Sequence, residues 1–128
     1  MIDLIDRAKD LLAERGYDAH VKRLDSFTGK EGVVLRRIPS TVTERYLDRS
    51  ESVSYLYQVV VRRRSERQAM EECCEIAELL ADAWLDSGNG SYSFVGQEAY
   101  TQPQELALDE AGFYAWQARI EARIEITR

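Results

Sequence analysis

Apolar and polar residues alternate through the last sixteen positions of the chain, Phe113 to Arg128. Tyr114, Trp116, Ala118, Ile120, Ala122, Ile124 and Ile126 fall on one parity, and Gln117, Arg119, Glu121, Arg123 and Glu125 on the other. A period of two predicts a strand with one face on a core and the other carrying charges of alternating sign. The same period places Val53, Tyr55, Tyr57, Val59 and Val61 on one face of a strand reaching Arg63. Leu56 and Val60 interrupt the polarity of its other face, so its centre is expected to be covered on both sides. Thr41 to Leu47 and the polar turn Asp48 to Ser52 complete a long hairpin with that strand. Val33 to Ile38 is β-branched and runs into Pro39, whose missing N–H predicts an abrupt stop. Ser91 to Thr101 reads as a further strand, and Tyr17 to Asp25 as a mixed stretch able to pair as a short one before a turn over Ser26 to Gly32.

Two segments carry helical spacing instead. Leu4, Ile5, Ala8, Leu11 and Leu12 predict a helix over residues 3 to 15, with Asp3 as its cap and Gly16 ending it in the left-handed conformation. Ser65-Glu66-Arg67-Gln68 fits a capping box, and the stripe Ala69, Cys73, Ile76, Ala77, Leu80 and Trp84 follows until Asp86-Ser87-Gly88-Asn89-Gly90. Gln102 to Gly112 is long for a hairpin loop and contains Leu106 and Leu108, which either fold back over the core or meet another subunit. This order of elements predicts an α+β fold, a mainly antiparallel β-sheet with two α-helices on one face, in a single domain spanning 1–128.

Composition narrows the function classes. A chain of 128 residues suits one core, with roughly two thirds of the unfolded surface removed from water. No apolar run approaches the roughly 20 residues of a membrane span, and the N-terminus lacks the pattern of an export signal, so a cytoplasmic site of synthesis and assembly is expected. Cys73 and Cys74 are neighbours on a predicted helix, where side chains diverge, and His20 is the lone histidine, so neither a disulfide nor a metal site is expected. The junction Arg62-Arg63-Arg64-Ser65 has no glycine for a phosphate loop, and no Gly-x-Ser-x-Gly turn occurs. Glu71, Glu75 and Glu78 share one helix face, expected to be solvated. These readings point to a chain that is not an enzyme and holds no cofactor.

A net charge of −6 argues against general affinity for nucleic-acid backbones. Arg62, Arg63 and Arg64 form the local exception, either a solvated strand end or a patch that docks a partner. On the terminal strand Arg119, Glu121, Arg123 and Glu125 offer a second ambiguity: a solvated face with cross-strand ion pairs, or a subunit contact in which alternating charges meet a rotated copy.

The order of elements resembles that of the tail terminator and minor capsid proteins of long-tailed bacteriophages and prophages. The resemblance rests on the helix Ile2 to Arg15, on Val33-Val34-Leu35-Arg36-Arg37-Ile38-Pro39, on Tyr55-Leu56-Tyr57-Gln58-Val59-Val60-Val61-Arg62 leading into a helix, and on Gly112-Phe113-Tyr114-Ala115-Trp116-Gln117-Ala118-Arg119 opening the last strand. It implies a structural virion protein of the tail-neck region, a homo-oligomeric ring of six on the end of a finished tail tube. That ring stops tube growth and joins the tail to the head connector or stopper, while DNA passes its lumen without specific binding. In that setting the hairpin tip from Tyr46 to Val53, with Tyr46, Asp48, Arg49 and Glu51, and the loop Gln104 to Leu108, with Leu106 and Leu108, are expected ring contacts. Arg62, Arg63 and Arg64 would pair with acidic groups of a neighbour, and Arg119, Glu121, Arg123 and Glu125 would face one. Two alternatives stand beside this: another neck or head-completion protein, and a small binding or regulatory domain unrelated to phage.

Overall fold

The computed structural model describes residues 2–21, 31–45, 51–106 and 112–126. The expected Ser26 to Gly32 turn lies largely outside these, and so do Tyr46, Asp48, Arg49 and Leu108.

Helix α1, Leu4–Glu14, turns Leu4, Ile5, Ala8 and Leu12 inward, as its spacing requires. It ends as predicted at Gly16, whose φ of 88° opens a reciprocal pair of bonds. The Gly16 N–H donates to the Ala13 carbonyl at 3.1 Å, and the Tyr17 N–H to that of Leu12 at 3.0 Å, satisfying two carbonyls the helix cannot. Its start differs from expectation. Asp3 occupies the cap position without a side-chain capping bond, because its carboxylate is engaged elsewhere. It accepts from Ser87 Oγ at 2.9 Å and from the Gly88 N–H at 2.8 Å, in the turn after the second helix.

Among the described residues five strands form one sheet in the order β1-β2-β3-β5-β4, comprising Ala19–Val21 (β1), Gly32–Arg45 (β2), Glu51–Arg63 (β3), Ser93–Glu105 (β4) and Tyr114–Ile126 (β5). β1 lies parallel to β2, and every other pairing is antiparallel. Two strands outrun the predicted boundaries, both at proline. β2 continues past Pro39 because the register shifts between Ile38 and Thr41, which takes Pro39 out of the ladder where its missing N–H would tell. β4 passes Pro103 by a similar shift between Thr101 and Gln104, absorbing part of the predicted loop. Glu51 and Ser52, expected in the hairpin turn, pair instead with Arg45 and Glu44.

Helix α2, Glu66–Ala81, starts where the capping residues place it, with Ser65 Oγ accepting the Gln68 N–H at 3.4 Å. Ala69, Cys73, Ile76, Ala77 and Leu80 are buried. Trp84, expected to continue that stripe, lies beyond the end of the helix and is 61% exposed. Both helices pack on the same face of the sheet, since their buried residues share one cluster with Val33, Leu35, Tyr55, Tyr57, Ile120 and Ile124. Burial of each such aliphatic side chain contributes about 1.5–3 kcal/mol, which is what fixes the faces of the sheet.

One polar clamp crosses this apolar layer. The Tyr57 hydroxyl donates to Gln97 Oε1 at 2.9 Å, and Gln97 Nε2 donates to the Leu80 carbonyl, one of the orphan carbonyls at the end of α2. Gln97 thereby ties β3, β4 and the helix terminus together. Burial pushes the Tyr57 phenol well above its usual range, so it serves as a neutral hydroxyl donor.

Candidate functional site

The open face of the sheet develops directly from the parity of β3 and β5. Gln117, Arg119, Glu121, Arg123 and Glu125 sit opposite the helices, the first three half-buried and the last two exposed. Pairing with β4 sets Glu121 directly across from Glu98, a like-charge contact that would be unfavourable alone. Arg123 relieves it, with its guanidinium 3.8 Å from Glu98 and 3.7 Å from Glu121. Since Arg123 and Glu98 are exposed and both distances are long, the cluster adds little to stability and chiefly defines a charge pattern. Towards the centre the face becomes apolar: Val34 and Val60 are buried, as Leu56 and Val60 led us to expect. Gln58 is 2% exposed, with its amide donating to Gln117 and its own Oε1 left without a hydrogen-bond partner among the described residues.

The three arginines separate into different environments. Arg62 is buried, with its guanidinium 5.1 Å from the centre of the Phe113 ring. Arg63 makes a bidentate pair with Glu72 of α2 at 2.7 and 2.8 Å, so its charge is answered within the chain, and this bonding raises its pKa further. Neither is the solvated strand end that was one expectation. Arg64 alone is exposed, its guanidinium 4.6 Å from the centre of the same Phe113 ring while its backbone N–H donates to Glu31. The triplet is thus one buried, one paired and one presented cation.

Leu106 is half-buried and its N–H donates to the Ala115 carbonyl at 2.8 Å, which extends the β4–β5 pairing past the assigned strand end. Glu51 is buried at the start of β3. His20 lies 3.0 Å from Asp18, and no group of three or more His, Cys, Asp or Glu side chains able to hold a metal occurs among the described residues. Cys73 is buried and its thiol pushed up to about 12 by burial and by Cys74 beside it. Among the described residues no helix is long and apolar enough to cross a membrane.

Two features escaped sequence reasoning. The first is the edge strand β4, which carries three register shifts and exposes Val95 and Tyr100. Bulges of this kind keep a long edge from pairing indiscriminately. The second is a cleft of about 270 Å³ at the junction of α1 with the segment after α2, lined by Arg7, Asp10, Leu11, Glu14, Trp84 and Leu85. Trp84 is held there edge-on against Phe94, ring centres 4.9 Å apart, with its indole N–H donating to Asp86 at 2.7 Å. No local pattern would have revealed this, because the cleft joins positions about 70 residues apart in the chain.

A comparison with curated proteins finds no match. Among solved structures, a chain described as "Virion of native gene transfer agent (GTA) particle" shares the fold, with a TM-score of 0.59 over 90% of this chain and 84% of that one at 15% identity. The family model for "Bacteriophage tail terminator protein" matches residues 8–126, which take in the whole sheet, α2 and the latter part of α1. The chain therefore belongs to the bacteriophage tail terminator family, and is a structural component of a phage-type virion.

Proposed function

We propose that this protein, as a single domain, closes into a six-membered ring on the end of a completed tail tube, where it stops further polymerisation and presents the surface that joins the head. The observation that carries this reading is the family match over residues 8–126, set on a sheet with one face sealed by helices and the other patterned with charge. The fold shared with a chain of a gene transfer agent virion supports it. The ring is homo-oligomeric, meets the tail tube protein on one side and the head connector or stopper on the other, and performs no catalytic step.

Charge gives the ring a second property. Six copies at −6 each make a ring of about −36, which repels a phosphate backbone and lets DNA pass without sticking. Arg119, Glu121, Arg123 and Glu125 supply register at subunit contacts, because a mismatched neighbour would set like charges together. Glu51 and Leu106 stand at opposite reaches of the sheet, beside the hairpin tip and the β4–β5 connection, and are proposed as contacts to the adjoining rings.

Deleting the gene and imaging the resulting particles by electron microscopy tests the reading. Overlong tails detached from heads are expected. Tails of normal length would instead assign the protein to a head-side position in the neck.

A further inference from the structure

A closed ring requires two different patches on each subunit, one of which fits the other on the next copy. We propose that the cleft around Trp84 receives Arg64 of the neighbouring subunit, an inference that rests on the ring reading above.

The two patches stand at opposite ends of α2. Arg64 lies just before the Ser65 cap of that helix and Trp84 just beyond its end, and the sixteen helical residues between them span about 24 Å. Such a spacing suits head-to-tail contact and forbids the two groups from meeting within one chain. Their chemistry is complementary. Among the described residues the Arg64 guanidinium has no carboxylate partner, yet it is already oriented by the Phe113 ring 4.6 Å below it. In the cleft, Asp10 is 3.6 Å from Arg7, whereas Glu14 is exposed and unpaired among the described residues. Among the described residues of these two patches, Arg64 and Glu14 thus remain a cation and a carboxylate without a charged partner.

The cleft offers a guanidinium both a ring to stack on and apolar walls, and its own Arg7 is turned to the Asp86 carbonyl, to which Nε donates at 3.1 Å. Its aromatic wall is fixed by the contacts of Trp84 with Phe94 and Asp86, so a planar group can stack on it without ordering a loose side chain. Leu11 and Leu85 offer apolar surface for the methylene stem. The last turn of α1, which brings Leu11 and Glu14 to the cleft, carries no basic residue to offset the partial negative charge at its end, so an incoming cation also answers that helix dipole. Buried arginine and tryptophan are the residue types that dominate association energies.

A charge exchange tests the proposal. Wild type, Arg64→Glu, Glu14→Arg and the double variant would each be mixed with polymerising tail-tube subunits, with ring occupancy at tube ends counted by electron microscopy and folding checked by circular dichroism. Each single variant should remain folded and lose at least tenfold in occupancy, and the double variant should recover most of it. Trp84→Ala should weaken occupancy without altering the fold. Single variants that cap tubes as well as wild type, or a double variant no better than the singles, would overturn this pairing while leaving the ring intact. Wild type that caps no tube would overturn the ring reading and this inference with it.

Discussion

The two faces of this sheet are made from the same strands and obey opposite rules. On the helix-covered face Tyr57, Val59, Ile120 and Ile124 are sealed beneath α1 and α2, and the polar atoms of Tyr57 and Gln97 find partners within the chain. On the other face charges are exposed, Glu98 and Glu121 confront each other across two strands, and Gln58 keeps a buried oxygen without a partner among the described residues. A monomer built only for its own stability would not retain that second arrangement. The contrast separates residues that hold the subunit together from residues that govern what it meets, and mutation can challenge the separation.

The largest effect should come from the sealed face. Ile120→Ala and Ile76→Ala each remove buried methyls at fully buried sites and should lower unfolding free energy by about 2–5 kcal/mol in denaturant titrations. Gln97→Ala should cost about 1–3 kcal/mol, since it strands the Tyr57 hydroxyl and the Leu80 carbonyl together. Asp3→Ala comes next, at about 1 kcal/mol, and its loss has a pH signature. Burial raises the Asp3 pKa, but the bonds from Ser87 and Gly88 outweigh it and hold the carboxyl below its usual value. Because the folded pKa is depressed, Asp3 contributes fully above the unfolded carboxyl pKa of about 3.9, and the gap between wild type and variant should close as pH falls below that value. The smallest effect belongs to the open face: Arg123→Gln should change stability by no more than about 0.5 kcal/mol while altering assembly onto tubes. A loss comparable to Ile120→Ala would erase the distinction between the faces.

Thiol labelling sharpens the same contrast on α2. With Cys73 buried and its thiol held near 12, native protein at pH 8 should lose one thiol to iodoacetamide, the half-buried Cys74, and denatured protein should lose both.

What could be read in advance follows from how far each signal acts. Parity along Tyr114–Ile126 and the stripe through Ala69, Cys73, Ile76 and Leu80 are local periodicities, and they predicted both the elements and the buried faces. The Gly16 terminus was legible for the same reason, since two successive amides complete it. Asp3 holds the expected cap position, but its carboxylate serves partners more than 80 residues away instead of the helix, a competition that local propensity cannot weigh. Pro39 was read as the stop of its strand, although a one-residue slip in register accommodates it, and a slip of the same size carries β4 past Pro103. Trp84 continued a helical spacing that the backbone had already abandoned at Ala81. Arg62, Arg63 and Arg64 looked equivalent in the chain, and only tertiary contacts with Phe113 and Glu72 made them different.

Polymerising tail-tube subunits with and without this protein, and averaging the tube ends, measures the central claim most directly. Growth that halts at ends carrying a ring of six copies is the expected result. Tubes that lengthen unchecked, with their ends bare in its presence, would contradict it.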